Sequence, residues 1–163
     1  VDWGWFPDPW RLVRCGWEPS ARRLHIFEEH SANRKMPVET AQFLLDAMTY
    51  ADEDGEEPYF HNELIWTDDT PVGKQQMAVY RREFGIRIRL ARKARMRKLS
   101  YERLAGLREI VIDPMRGPKT YEEFTLKEYL RNSDGTWEDE IPDGNDRSID
   151  AIRYAMMDDV LRG

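Results

Sequence analysis

The sequence predicts an α/β domain in which α-helices flank a mixed β-sheet. Three observations support this prediction. Extended segments follow one another at the start of the chain, helical and extended segments then alternate, and an amphipathic helix comes last. Successive strands favour antiparallel pairing, whereas alternation with helices favours parallel pairing. The 163 residues, 40% of them hydrophobic, are enough for a single domain over 1–163 with its own core.

Three strands are predicted before the first helix, at 1–4, 10–17 and 22–27. Asp2 lies within the first of them. In the third, Leu24 and Ile26 share one face because side chains alternate along a strand, and Glu28 continues that face at its end. The connections between the three are short and contain proline, so we expect antiparallel neighbours.

The middle of the chain alternates between helices and strands. Apolar residues at helical spacing predict a helix at 38–50, and Pro71 and Gly85 mark the two ends of another. A short helix with Ser100 as its cap is expected after a basic connector. The remaining elements are strands at 64–68, 86–90 and 109–113 and a short helix near 121–124.

The last helix begins near residue 147. Ser148 or Asp146 is expected to cap it, and Asp150 lies in its first turn at the edge of the apolar stripe. An acid in a first turn also complements the helix dipole, which requires no further function. The stripe is formed by Ile149, Ile152, Met156 and Val160.

Charge is unevenly distributed along the chain. The formal net charge of −6 does not by itself suggest a nucleic-acid-binding protein, yet 84–101 holds seven basic residues and no acidic one. The single Cys15 excludes an internal disulfide and favours a reducing compartment. We see no membrane-spanning run and no signal peptide. Because the chain opens on Val-Asp-Trp-Gly without Met, we expect it to be one domain of a longer protein.

The order of elements resembles the ribonuclease-H-like fold, in which carboxylates from the first strand, the fourth strand and the last helix meet. Asp2, Asp68 and Asp150 occupy those positions. Carboxylate oxygens are the ligands that Mg²⁺ and Mn²⁺ prefer, and two such ions promote phosphodiester hydrolysis. Without a cation the three charges would repel one another. The resemblance therefore implies a two-ion site held by these aspartates.

Several assignments at this site stay open. Asp68 and Asp69 point to opposite faces of a regular strand, and we expect Asp68 to face Asp2 and Asp69 to be a cap or a supporting group. Glu28 and Asp146 are possible auxiliary ligands. Each of the three aspartates also has an ordinary structural explanation, as a strand-end, capping or first-turn acid.

The basic run continues past the strand at 86–90 toward the end of the sheet where Asp68 is expected. Basic side chains there would neutralise phosphates and hold DNA without reading base sequence. The alternative is a merely solvated surface. The residues predicted to contact DNA are Arg92, Lys93, Arg95, Arg97 and Lys98.

Three motifs resemble the C-terminal nuclease domain of the large terminase subunit of tailed bacteriophages and prophages. The chain opens with a strand Asp2, a glycine and Asp-Pro, continues with Thr-Asp68-Asp-Thr-Pro, and ends with Ser-Ile-Asp150-Ala-Ile-Arg-Tyr-Ala. Two departures are a second motif one residue short that lacks its usual Glu, and Arg147 where His often stands.

The resemblance implies an Mg²⁺- or Mn²⁺-dependent endonuclease that cuts concatemeric double-stranded viral DNA during packaging, with little sequence preference. It also implies an N-terminal ATPase motor domain absent from this chain, with the portal, the small terminase subunit and the capsid as partners. The expected location is the host cytoplasm, at the procapsid. The alternatives are another ribonuclease-H-like nuclease, such as a Holliday-junction resolvase or an RNase H, and a non-catalytic DNA-gripping or docking module.

Overall fold

A computed structural model describes residues 1–51, 54, 57–91, 96–127, 129, 132–136, 138 and 141–162, without the side chains of 160–162. The described elements are β1 (Trp10–Glu18), β2 (Arg23–Ala32), α1 (Pro37–Ala47), β3 (Thr49–Tyr50), β4 (Tyr59–Phe60), β5 (Ile65–Thr67), α2 (Pro71–Phe84), β6 (Ile88–Leu90), α3 (Arg97–Ala105), β7 (Glu109–Ile112), α4 (Pro118–Leu126) and α5 (Arg147–Arg162). Two strands come first, and helices and strands then alternate from α2 to α4, while the short strands β3 and β4 were not predicted.

The strands form the predicted mixed arrangement. β1 pairs antiparallel with β2, and β2 pairs parallel with β7. β5 and β6 form a second parallel pair, and β3 and β4 a small antiparallel one. Among the described helices, none is both long and apolar enough to cross a bilayer. The antiparallel and parallel strand pairs, with helices around them, confirm the predicted α/β class with a mixed sheet.

The predicted strand at 1–4 is wrong in extent, since only a single bridge forms there. Asp2 exchanges both backbone hydrogen bonds with Arg11, each at 2.9 Å. On the other side, the Val1 nitrogen donates to the Trp66 carbonyl at 2.7 Å. The strand stops because Gly4 lies against the backbone of the following turn, where an added Cβ would be 2.2 Å from the Asp8 carbonyl. This bridge nevertheless lies between β1 and β5.

Three other predicted boundaries change because of tertiary pairing. α1 ends at Ala47, not 50, since Thr49–Tyr50 pairs with Tyr59–Phe60. β2 runs on to Ala32, which puts Glu28 inside the strand. α3 starts at Arg97, so Ser100 lies within the helix and does not cap it.

The core lies on both sides of the sheet. Trp10 and Leu12 of β1 pack toward α1 and α2, and Val13 packs toward α5, because neighbouring strand residues face opposite ways. The α5 stripe is buried at Ile149, Ile152 and Met156, as predicted. Burial on both faces makes β1 a central strand, and α5 packs against it and against β5.

Neither Ser148 nor Asp146 caps α5 with its side chain. The Glu123 carboxylate of α4 accepts hydrogen bonds from the backbone nitrogens of Ser148 at 2.7 Å and Ile149 at 3.1 Å. Glu29 of β2 does the same for α4, accepting from the Thr120 nitrogen at 2.8 Å. Two carboxylates thus connect the sheet to α4 and α4 to the start of α5, the turn that carries Asp150.

Removing the Glu123 cap should destabilise the domain. We expect Glu123→Ala to lower the free energy of unfolding by about 1 kcal/mol, the usual cost of losing an N-terminal cap. Glu122→Ala changes an exposed neighbour on the same helix and should cost almost nothing. Urea denaturation of both variants measures the difference, and equal stability would show that the cap contributes nothing.

The burial of Glu123 predicts how the cap depends on pH. Burial raises the pKa of Glu123 above its ordinary 4.5, so ionisation is disfavoured in the folded state. Glu123→Gln keeps an acceptor oxygen, so we expect its stability to rise relative to the native chain as pH increases from 4 to 7. Denaturation curves at several pH values test this, and a fall in the stability of Glu123→Gln relative to the native chain with rising pH would contradict it.

Candidate active site

A cleft of about 870 Å³ opens where Asp2, Asp68 and Asp150 come together. The three residues are nearly buried, with exposed fractions of 2%, 4% and 8%. Below, this cavity is called the acidic cleft. Its other lining residues are Trp3, Gly4, Trp5, Asp8, Trp10, Lys35, Met36, Pro37, Thr40, Thr70, Val72, Gln76, Asp143, Gly144, Asp146 and Arg147.

Each aspartate is positioned by a different element. Asp2 lies on the bridge between β1 and β5, Asp68 directly follows β5, and Asp150 lies in the first turn of α5. These elements are neighbours because α5 packs against both β1 and β5. The predicted convergence of the three acids on one cavity is therefore what the fold produces.

Asp68, not Asp69, lines the acidic cleft. Oδ1 of Asp68 accepts hydrogen bonds from the Thr70 nitrogen at 3.0 Å and the Thr70 hydroxyl at 2.6 Å. Gly73 lies close against it, since an added Cβ would be 2.3 Å from Oδ1. Asp69 is half-exposed and pairs with Lys74 at 3.0 Å. The cap of α2 is Thr70, which accepts from the Gly73 nitrogen at 3.1 Å.

Arginines balance the charge of two of the acids. Arg147 lies 3.1 Å from Oδ2 of Asp2 and 2.6 Å from Oδ2 of Asp8. Asp150 forms a close ion pair with Arg153, and Arg97 lies 3.5 Å from its Oδ1. Buried carboxylates are costly without such partners, so these pairs offset the cost of burying the two acids.

The acids also act on one another and on a nearby phenol. Burial raises the pKa of Asp150, and the Asp146 charge adds to this effect, while Arg153 and Arg97 oppose it. Burial likewise raises the pKa of Tyr154, followed by the charges of Asp2, Asp150 and Asp68. Tyr154 therefore stays protonated and donates to Oδ1 of Asp2 at 3.4 Å.

The donor chemistry fits a hard divalent cation, but the side chains are not preset around one. Three buried carboxylates are the oxygen ligands that Mg²⁺ and Mn²⁺ take. In the described part of the chain, no group of three or more His, Cys, Asp or Glu residues is arranged to hold a metal ion. Asp2 is instead paired with Arg147, and Asp150 with Arg153.

The two possible auxiliary acids differ in position. Asp146 lines the acidic cleft, but its Oδ2 is held by Arg97 at 2.7 Å and Lys127 at 3.0 Å. Burial acts to raise the pKa of Asp146, and these two cations outweigh it, so the pKa lies below its ordinary value. Glu28 does not line the cleft, because the β1–β2 register sets it opposite Arg14, with which it pairs at 2.8 Å. An auxiliary role for Glu28 therefore has no support from its position.

The predicted DNA-contacting residues are only partly described. Arg92, Lys93 and Arg95 lie outside the described residues. Lys98 is exposed on the first turn of α3. Arg97 instead points toward the α5 end of the acidic cleft, where it also donates to the Pro142 carbonyl at 3.2 Å.

Sequence reasoning gave no role to several residues that hold the acids. Asp8 and Arg147 join the first turn to α5, and no local pattern pairs residues that far apart. Arg153 and Tyr154 did carry a signal, because i+3 and i+4 from Asp150 share one side of a helix. Arg153 also donates to the Ser100 hydroxyl at 2.5 Å, which explains why that serine is buried inside α3.

The comparisons with known proteins agree with this geometry. No family model matches the chain. The large terminase subunit of Bacillus phage SPP1 is 28% identical over the whole chain, which covers 36% of that relative. The crystal structure of the SPP1 large-terminase nuclease domain with bound Mn superposes with a TM-score of 0.81 at 27% identity, over 97% of this chain and 83% of the other.

The chain is similar to a phage large terminase and has the fold of the SPP1 nuclease domain. The nuclease domain of the P22 large terminase shares that fold at 19% identity, with a TM-score of 0.61 over 98% of this chain and 82% of the other. The predicted ribonuclease-H-like fold and the resemblance to terminase nuclease domains are thus confirmed. The chain spans about a third of the length of its SPP1 relative, 36%.

Lys127 holds the loop that leads into α5 by hydrogen bonds. Its Nζ donates to the carbonyls of Pro142 at 2.6 Å and Gly144 at 2.7 Å as well as to Asp146. We expect Lys127→Met to lower the free energy of unfolding by about 1–3 kcal/mol, because the buried Asp146 carboxylate loses one of its two cationic partners and keeps only Arg97. Lys119→Met, an exposed lysine of α4, is the control.

The Lys127→Met deficit should depend on pH in a defined direction. Since the pKa of Asp146 is lowered from 3.8, the ion pair contributes above that pH and is lost as pH falls through the folded-state pKa. The difference between the two proteins should therefore shrink in acid. A difference that is constant from pH 7 to pH 3 would mean that Asp146 is not the relevant partner.

Proposed function

We propose that this domain is a metal-dependent endonuclease that cuts concatemeric double-stranded viral DNA during genome packaging. The single observation that carries the proposal is the burial of three carboxylates, from three distant parts of the chain, around one open cleft. Acids are rarely buried together unless a function requires it, since each loses its hydration. The relatedness to a phage large terminase supports the same reaction class.

In this proposal Asp2, Asp68 and Asp150 hold two Mg²⁺ or Mn²⁺ ions. Such ions, when bound, activate a water and neutralise charge on the attacking and leaving oxygens of a phosphodiester. The Thr70 hydrogen bonds fix the orientation of Asp68, and Tyr154 does so for Asp2. Arg147 pairs with Asp2 at 3.1 Å and balances its charge in the buried site. Bound Mn in the SPP1 nuclease domain supports the choice of ion.

The wider context follows from the same relationship. We propose that the remainder of the full-length protein carries an ATPase motor domain, and that portal, small terminase subunit and capsid are its partners. The site of action would be the procapsid in the host cytoplasm. Little sequence preference is expected, because contacts of the basic run with the phosphate backbone carry no direct sequence information.

Substitution of the cleft acids tests the catalytic proposal. We expect Asp68→Asn and Asp150→Asn each to reduce Mn²⁺-dependent plasmid nicking by more than about 100-fold, since even outer-shell changes cost roughly 10–100-fold. Asp69→Asn is the matched control, one residue away but outside the cleft, and should cut within a few-fold of the native rate. Circular dichroism confirms that each variant is folded.

Two outcomes would contradict this assignment. If Asp68→Asn and Asp150→Asn both nick plasmid at the native rate, the two-ion proposal is wrong. If only Asp69→Asn loses activity, Asp69 and not Asp68 is the metal ligand. Comparing linear duplex, a four-way junction and an RNA–DNA hybrid as substrates separates a packaging nuclease from a resolvase or an RNase H. If the protein retards DNA in a gel but does not cut it, the domain is a DNA-gripping module without an active site.

We also propose that the basic run leading into α3 grips the DNA backbone. Each lost phosphate contact should reduce the slope of log K against log salt concentration by about 0.9. Lys98→Ala alone tests a described member, and adding alanine at Arg92, Lys93 and Arg95 tests the whole run. Arg103→Ala, an exposed arginine on the same helix, is the charge-matched control. An unchanged slope in the multiple variant would mean a solvated surface only.

A further inference from the structure

The acidic cleft has a second side of opposite character. Trp5, Met36 and Val72 line it, and their exposed fractions are 51%, 56% and 54%. These three residues are called the apolar wall. Large apolar side chains held open to water next to a polar site commonly mark a ligand-binding surface. The acids account for the phosphate chemistry, but they give the apolar wall no role.

The apolar wall is built by segments that are fixed to each other. The Arg34 nitrogen donates to the Trp5 carbonyl at 3.0 Å. The Arg34 guanidinium lies 4.2 Å from the ring centre of Phe6. The Met36 nitrogen is held by the Glu39 carboxylate at 2.8 Å, where α1 begins. Trp5 and Met36 are thus presented from hydrogen-bonded backbone.

The neighbouring charges indicate what the apolar wall binds. Arg34 and Lys35 are exposed cations beside it, and Lys35 lines the acidic cleft. An aromatic surface with adjacent cations is the combination that binds single-stranded nucleic acid, by base stacking and backbone neutralisation. A paired and stacked duplex offers its backbone and base edges but not its base faces, so a ring such as Trp5 can stack only on an unstacked base.

We propose that the apolar wall binds an unstacked nucleobase next to the phosphate to be cut, with Trp5 as the stacking residue. The preferred substrate is then duplex DNA that is locally opened at the cleavage point. This inference rests on the proposed nuclease function and specifies its substrate. A protein docked on the apolar wall would instead cover the acidic cleft, and the cations Arg34 and Lys35 favour a polyanion in that position.

Binding without catalysis is the first test. The test compares the affinity of the 163-residue chain for a fluorescent 12-nucleotide oligo-dT with its affinity for a 12-base-pair duplex, both in EDTA. Trp5→Ala should weaken oligo-dT binding roughly 10-fold or more and change duplex binding less than about two-fold. Trp5→Phe should restore most of the loss. Tyr121→Ala, an exposed aromatic of α4 outside the cleft, should behave as the native chain.

Cleavage is the second test. In Mn²⁺, the native chain should cut a duplex with a three-nucleotide mismatched bubble faster than the fully paired duplex, and Trp5→Ala should remove that preference. The inference is overturned if Trp5→Ala binds oligo-dT with the affinity of the native chain, or if Trp5→Ala and Tyr121→Ala lose the same amount of affinity. Contact with a protein would then be the remaining use of the apolar wall. Absence of cutting by the native chain refutes the nuclease proposal alone, because the EDTA measurement is independent of it.

Discussion

The whole arrangement depends on the short segment between β1 and β5. Asp2 exchanges backbone hydrogen bonds with Arg11 on one side, and the Val1 nitrogen bonds the Trp66 carbonyl on the other. Described pairing otherwise leaves β1, β2 and β7 separate from β5 and β6. These few bonds therefore bring the strand that ends at Asp68 beside Asp2. A one-residue slip would turn Asp2 to the opposite face and empty the acidic cleft of one of its acids.

Charge balance is the second constraint on the structure. Burying Asp2, Asp146 and Asp150 together is tolerated because Arg147, Arg153, Arg97 and Lys127 are buried or half-buried with them. The same pairs keep the α5 N-terminus in place, together with the carboxylate caps that link β2 to α4 and α4 to α5. The electrostatics of the site and the placement of its last helix are therefore parts of one network, and a change in either affects the other.

Elements governed by local rules could be predicted from the sequence. Gly85 ends α2 with a left-handed φ of 64°, and Pro71 begins it, both readable from residue type. The α5 stripe followed from helical spacing. Predictions were wrong where a residue's role depends on a distant partner. Ser100 was predicted to cap α3, but its hydroxyl accepts a hydrogen bond from Arg153 inside the helix. The cap of α5 belongs to the same class, because Glu123 lies 25 residues before Ser148.

Residue type and periodicity are local properties, and from them the sequence indicated three candidate acids: one near the start of the chain, one after a predicted strand and one in the last helix. Local rules alone could not decide which acids share a cavity, and the expectation that these three do came only from the resemblance to the ribonuclease-H-like fold. Tertiary structure placed Asp68 inside and Asp69 outside, set Glu28 opposite Arg14, and supplied the cations beside Asp2 and Asp150. Those contacts join residues far apart along the chain, and only the packing of α5 on β1 and β5 brings them within reach.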